Sequence, residues 1–242
     1  MDMTALPKHL AVLYAGRDPQ RRGPRPTLTL DGVIAAAVEI ADTEGLPGVS
    51  MAKVAERLGF TTMSLYRYVR SKDDLLLLMA DAANRDKAPV AVPGSWRAGL
   101  AAWAKGLFQV YRQHPWLLQM PMSAPPAGPS QLLWLEAGLQ NLAALDVPEG
   151  LKLQIIQLLH GYARGEAQLS ADLSAPAREA GDVTYGRILR AVTDPATHPA
   201  LTRLMSSGLF DGPTDYDEDI DFGFGLSTIL DGVERLVGPP PA

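Results

Sequence analysis

Between Thr61 and Lys72 the chain reads TTMSLYRYVRSK, with two tyrosines and two arginines set among hydroxyl side chains. Such groups donate hydrogen bonds to phosphates and base edges, and a thioether or a threonine methyl suits the methyl of thymine. A small helix buried on all sides has no use for them. Lys72 follows Ser71, which reads as a helix N-cap, so a cation stands in a first turn where the macrodipole disfavours it. A phosphate held jointly by the ammonium and the helix N-terminus removes that conflict. A solvated lysine that tolerates the mismatch is the alternative.

Other chemistries find little support. The chain has 242 residues and no cysteine, which excludes disulfide scaffolds, thiolate-ligated metals and thiol nucleophiles. Its four histidines, His9, His114, His160 and His198, are far apart in sequence, and HExxH, GxSxG, GxGxxG and GxxxxGK[ST] do not occur. The acidic run Asp211, Asp215, Asp217, Glu218, Asp219 and Asp221 lacks EF-hand spacing and reads as negative charge at a helix start. No metal and no cofactor is expected.

Charge is unevenly spread. The net charge is −5, yet residues 1–85 carry +1 and the remainder −6. Arg17, Arg21, Arg22 and Arg25 face only Asp18, and Lys53, Arg57, Arg67, Arg70 and Lys72 face only Glu56. Such stripes serve either a polyanion or plain solvation. With 47% hydrophobic and 20% charged residues the chain is in the globular range, and no run approaches the roughly 20 apolar residues of a membrane span. Met1-Asp2-Met3-Thr4 does not lead into a secretory signal, so a cytoplasmic protein without a membrane partner is expected.

The elements that must position these groups read as helices throughout. Residues 5–16 suit a short helix, and 17–28, rich in arginine and proline, an extended basic arm. From a Thr29 cap, apolar residues at 30, 33, 34, 37, 38 and 41 follow helical period up to Gly45 and Pro47. Ser50 caps a second helix that ends at Gly59. A third spans about 62–70 with Leu65 and Val69 inward, and Ser71 caps a fourth carrying Leu75, Leu78 and Met79. Beyond APVAVPG at 88–94, helices are predicted over 95–114, 130–145, 148–171, 182–192, after Pro199, and over 217–237, with a proline-rich loop at 121–129. Sustained strand alternation is absent. The fold class is all-α: an arm over 1–28, a three-helix helix-turn-helix domain over 29–88, and a second helical domain over 89–242.

Helix, tight turn and short helix at 50–70 form a helix-turn-helix, whose second helix enters the major groove. Its outward residues are Thr62, Met63, Ser64, Arg67 and Tyr68. VIAAAVEIADTEGLPGVSMAKVAERLGFTTMSLYRYVRSKDDLL, with its pattern LGF-x-x-x-SLY-x-Y-V-x-SKDDLL, resembles the N-terminal domain of the TetR family of bacterial repressors. DFGFGLSTILDGVERLV resembles the final helix of the subgroup with a tetracycline-repressor-like effector domain. The resemblance implies base contacts from Thr62, Met63 and Ser64, and phosphate contacts from Ser50, Lys53, Tyr66, Tyr68 and Lys72. Tetracycline-responsive members carry glutamine–proline–threonine where this chain has Thr62-Met63-Ser64, so the operator differs. Arg21, Arg22 and Arg25 either follow the DNA backbone or enter the minor groove, or else belong to a disordered solubilising arm.

The resemblance also implies that 89–242 is an effector-binding and dimerisation domain, in a homodimer that encloses a small molecule. The aromatic residues that fit such a pocket are Trp103, Phe108, Tyr111, Trp116 and Trp134, joined by Met120, with His114, Gln157, His160 and Arg164 as polar groups. Core packing is the competing role for each aromatic, and a dimer interface for His160 and Arg164. The helices at 149–171 and 217–237 show more apolar surface than one side needs, which places Leu159, Tyr162, Leu226, Ile229 and Val233 in an isologous interface. The functional expectation is a repressor released from a palindromic double-stranded operator by a largely apolar or aromatic effector. An all-α enzyme and a constitutive DNA-binding module without effector are the alternatives.

Overall fold

The computed structural model describes residues 7–14, 28–85, 92, 94–120, 127–174, 185–208 and 218–238. Among them the order is α1 (Lys8–Tyr14), α2 (Leu30–Gly48), α3 (Met51–Leu58), α4 (Thr62–Leu65), α5 (Lys72–Asn84) and α6 (Trp96–Gln113). A 3-10 helix (Pro115–Gln119) follows, then α7 (Pro129–Asn141), α8 (Glu149–Ser174), α9 (Tyr185–Val192), α10 (Pro199–Ser206) and α11 (Glu218–Val237). No strand occurs among the described residues, and no helix there is long and apolar enough to cross a membrane. The basic arm, with Arg21, Arg22 and Arg25, lies outside the described residues.

Local chemistry sets the boundaries of the N-terminal helices. Thr29 accepts from the Gly32 amide at 3.0 Å, Ser50 from Lys53 at 3.2 Å and Ser71 from Asp74 at 3.0 Å, each satisfying an otherwise orphaned first-turn donor. Gly45, at φ 74°, breaks the path of α2 one turn before its end. Gly59, at φ 73°, closes α3: its amide bonds Glu56 and that of Phe60 bonds Ala55. That is the paired geometry of a Schellman stop, for which a left-handed residue is needed. The next helix is shorter than its pattern suggests. Regular α4 ends at Leu65, and Tyr66–Tyr68 turn instead, drawn tight by the Tyr68 amide bonding Leu65 at 2.8 Å.

These caps aim four helices at one core. Val33, Ala37 and Ile40 of α2, Val54 of α3, Leu65 of α4, Val69, and Leu75 and Met79 of α5 are all fully buried. Burying Leu65 and Val69 turns the remaining side chains of 62–68 outward, because a one-turn helix has only one inward stripe.

The C-terminal half packs α6 against α7, α8 and α11. Phe222 of α11 lies between Phe108 of α6 (centroids 4.2 Å apart, 11° between planes) and Tyr162 of α8 (5.2 Å, 24°). The Tyr162 hydroxyl donates to the Phe222 carbonyl at 2.8 Å. Gly225 makes this possible, since a Cβ there would stand 2.3 Å from the Tyr162 oxygen. Leu65 holds the short reading helix onto its domain, so Leu65→Ala should destabilise the N-terminal helices by about 2–5 kcal/mol. Urea unfolding followed by circular dichroism measures this; a loss below about 1 kcal/mol contradicts the packing described.

Candidate nucleic-acid interface and the core behind it

The 62–72 face is assembled from the outward residues of α4, the turn after it and the start of α5. Met63 is 74% exposed, the most protruding large apolar side chain of this domain, and Tyr66, Arg67, Tyr68 and Lys72 are exposed around it. Thr62 and Ser64 are half-exposed, and the Ser64 and Thr61 hydroxyls lie 3.0 Å apart. Met63 adds nothing to the buried core of its domain, so its side chain is open to a partner surface. Three expected phosphate ligands are already engaged. The Tyr68 hydroxyl donates to the Leu28 carbonyl at 2.8 Å, so it braces the approach to α2 rather than offering a free donor. Lys53 pairs with Glu44 of α2, while Ser50 spends its side-chain oxygen on the cap of α3.

Behind this face the two halves of the chain meet at polar contacts. The Asp42 carboxylate of α2 accepts from His114 Nδ1 and from the Trp116 indole, both at 2.7 Å. His114 and Trp116 are buried. Both thus sit at the junction of the two halves, and His114 also borders the groove beside it. A second seam joins α5 to α7. Asp81, 7% exposed, accepts from the Ser130 amide at 2.8 Å, and the Trp134 indole donates to the Asn84 carbonyl at 2.9 Å. A groove of about 290 Å³, lined by Ile34, Val38, Ala82, Ala83, Arg85 and His114 among others, runs beside the junction.

Deeper in the C-terminal half the expected pocket residues divide. Trp103 is buried, donates to the Trp134 carbonyl at 2.7 Å, and meets that ring edge-on at 5.9 Å. Phe108 belongs to the stack with Phe222. Tyr111, His160 and Arg164 do come together: the Tyr111 hydroxyl is 3.2 Å from His160 Nε2, and the Arg164 guanidinium lies 5.7 Å from the Tyr111 ring centre. Burial raises the Tyr111 pKa, with Arg164 opposing, and burial lowers that of His160, with Arg164 adding to the effect. At neutral pH the trio thus presents a phenol, a neutral imidazole and one cation. Arg164 also donates to the Leu118 carbonyl at 2.7 Å, at the open end of the 3-10 helix, with the Met120 carbonyl 3.4 Å away. Gln157, one turn before His160 on the same side of α8, is exposed.

The expected interface residues divide by burial within their own chain. Leu159 is fully buried within its own chain, and Leu226 and Val233 nearly so, while Ile229 and Tyr162 are half-buried. The large apolar side chains turned outward on the same two helices are Leu153, Leu158, Leu169 and Leu173 of α8 and Ile220, Phe224 and Leu236 of α11.

Comparison with known proteins agrees with this geometry. Residues 33–79 match the model of the bacterial regulatory proteins of the tetR family, and 88–237 match the tetracyclin repressor-like C-terminal domain. The chain belongs to the TetR family, a class of helix-turn-helix transcriptional regulators. It is 41% identical over 230 residues to the HTH-type transcriptional repressor DrrR1 of Streptomyces coeruleorubidus, covering 92% of this chain and 83% of the relative. Among solved structures it is similar to the TetR regulator SCO7222 of Streptomyces coelicolor (TM-score 0.71, 26% identity). It is also similar to ActR of the same organism in complex with actinorhodin (TM-score 0.70, 26% identity). Both alignments cover 88% of this chain and 100% of the other. Family membership sets aside the enzyme reading.

If Lys72 holds a phosphate, Lys72→Ala should weaken all DNA sequences about equally and lower the salt slope of binding by about one. Met63→Ala should instead change preference at one or two operator positions, by about 1–3 kcal/mol, at nearly constant slope. Titrations of operator variants at several salt concentrations distinguish the two, and the reverse pattern inverts the assignment of this face.

Proposed function

We propose that this regulator is a homodimeric repressor that reads a palindromic operator and is released by a small, largely apolar or aromatic effector bound between α6, α7 and α8. The observation that carries the reading is the Asp42 bridge. A DNA-binding module that acts alone has no need to give a carboxylate of its first core helix to two buried donors of the other half. The path continues inward: Trp116 sits in the 3-10 helix whose last carbonyls Arg164 holds, and Arg164 touches Tyr111, which touches His160. An effector with an aromatic body and an acceptor group meets this trio through stacking and charge-assisted hydrogen bonding. That ActR, to which this chain is similar, is in complex with actinorhodin supports a small-molecule effector. Displacing Arg164 shifts the 3-10 helix, and with it the two donors on Asp42.

Two tests address the effector. Host metabolite extract is incubated with the protein and examined by native mass spectrometry, and actinorhodin is titrated against the operator complex. A retained small molecule that releases DNA is expected; if nothing is retained and nothing releases, the constitutive alternative replaces this reading. Once a releasing molecule is in hand, Asp42→Asn, which keeps shape but weakens both charge-assisted bonds, should reduce its effect on operator affinity by about five- to tenfold. An undiminished effect removes Asp42 from the path.

The dimer is placed on the outward face of α8 and α11. Leu158 and Leu169, three turns apart, share that face with exposed Gly161 and Gly165, where a Cβ would meet nothing within 4 Å. Phe224, 76% exposed, and Ile220 stand one turn apart on α11. A flat apolar stripe with small residues between large ones admits a close helix pair related by a twofold axis. Leu158→Glu and Phe224→Glu should each yield monomers in light scattering while keeping wild-type helicity. Dimers in both variants would move the interface elsewhere.

A further inference from the structure

We propose that α1 is a clasp across the seam between the DNA-binding helices and the C-terminal half, and that it narrows the range of angles at which α4 is presented. The helix lies outside both family-matched regions, 33–79 and 88–237. It nevertheless touches both halves. Val12 and Leu13 pack against the core, and α1 lies on α5. The Tyr14 hydroxyl donates to the Ala127 carbonyl at 2.6 Å, and Leu13 approaches Gly128 closely enough that a Cβ there would be 3.4 Å from its Cδ1. This is the point where Asp81 of α5 accepts from Ser130 in the first turn of α7. The Gln131 side chain accepts from the Ala127 and Gly128 amides at 3.2 and 3.1 Å, which fixes the strip of backbone that Tyr14 holds.

A tilt of α5 against α7 cannot keep all of these contacts. Either the Tyr14–Ala127 bond breaks or α1 slides along α5. The clasp therefore stabilises one orientation of the two halves and contributes nothing to others. Its effect on DNA follows from symmetry and rests on the twofold-operator reading above. A palindrome needs two reading helices at a fixed separation, and apparent affinity scales with the fraction of dimers that meet it. A single half-site makes no such demand.

The test compares the full chain with Tyr14→Phe, with Leu13→Ala/Tyr14→Phe, and with a chain starting at residue 15, which removes α1 and keeps the arginines that follow. Amide hydrogen exchange is measured on the free protein over 80–85 and 128–132. Affinity is measured for the palindrome and for the same DNA with one half-site scrambled. Exchange in both segments should be faster by about three- to tenfold in the variants, as for loss of one buried hydrogen bond and its packing. Palindrome affinity should fall by about three- to tenfold, with half-site affinity held within about twofold. Unchanged exchange overturns the clasp. So does faster exchange without loss of palindrome affinity, which leaves α1 a brace only, and so does an equal loss on the half-site, which places α1 in DNA contact. A wild-type protein that does not prefer the palindrome refutes the twofold-operator reading instead, and exchange then decides the clasp by itself.

Discussion

Asp42 carries the connection on which the two halves depend. It accepts two short hydrogen bonds from residues 72 and 74 positions further along the chain, and both donors are buried. Deleting the carboxylate takes the acceptor from a buried indole N–H and one contact from a buried imidazole, and leaving a buried donor unsatisfied costs more than the net worth of its bond. The geometry of the reading domain relative to the rest is thus held by directional contacts, where apolar packing by itself tolerates sliding. The Asp81–Ser130 contact has the same character at the other seam, since a carboxylate at a helix N-terminus is sensitive to both distance and direction.

Much of the N-terminal half was legible from local signals. Thr29, Ser50 and Ser71 announce helix starts because a side-chain oxygen there reaches an amide three residues on, and Gly59 announces a stop because its left-handed backbone suits glycine. Leu65 and Val69 are the apolar pair of a short polar helix, so their burial and the outward turn of Met63 follow together. The extent of α4 was overestimated because the tight turn at 66–68 keeps Val69 inward without continuing the helix.

The C-terminal half was legible as helices but not as surfaces. The middle of α8 is apolar nearly all round, so periodicity does not tell Leu158, which faces out, from Leu159, which is fully buried. Both positions fit a dimer stripe on paper. The contact of His114 and Trp116 with Asp42 is not legible in the sequence, because their partner is remote and leaves no local trace. A signal did exist on the partner's side. Asp42 follows Val38 by one turn, on the flank of the apolar stripe of α2, and Asp81 interrupts the apolar run of α5. A carboxylate in such a place needs donors from outside its own helix.

The distribution of indoles has an optical consequence. All four tryptophans, Trp96, Trp103, Trp116 and Trp134, lie beyond α5. Two of them are hydrogen-bonded across the seams, Trp116 to Asp42 and Trp134 to the Asn84 carbonyl. A negative or partly negative oxygen at the indole nitrogen alters the field along the ring, so the emission wavelength of these two depends on whether the seams are closed. Near-ultraviolet light absorbed by the protein's tryptophans therefore reports the joint between the halves, and is blind to the reading helix until a change there reaches α2 or α5.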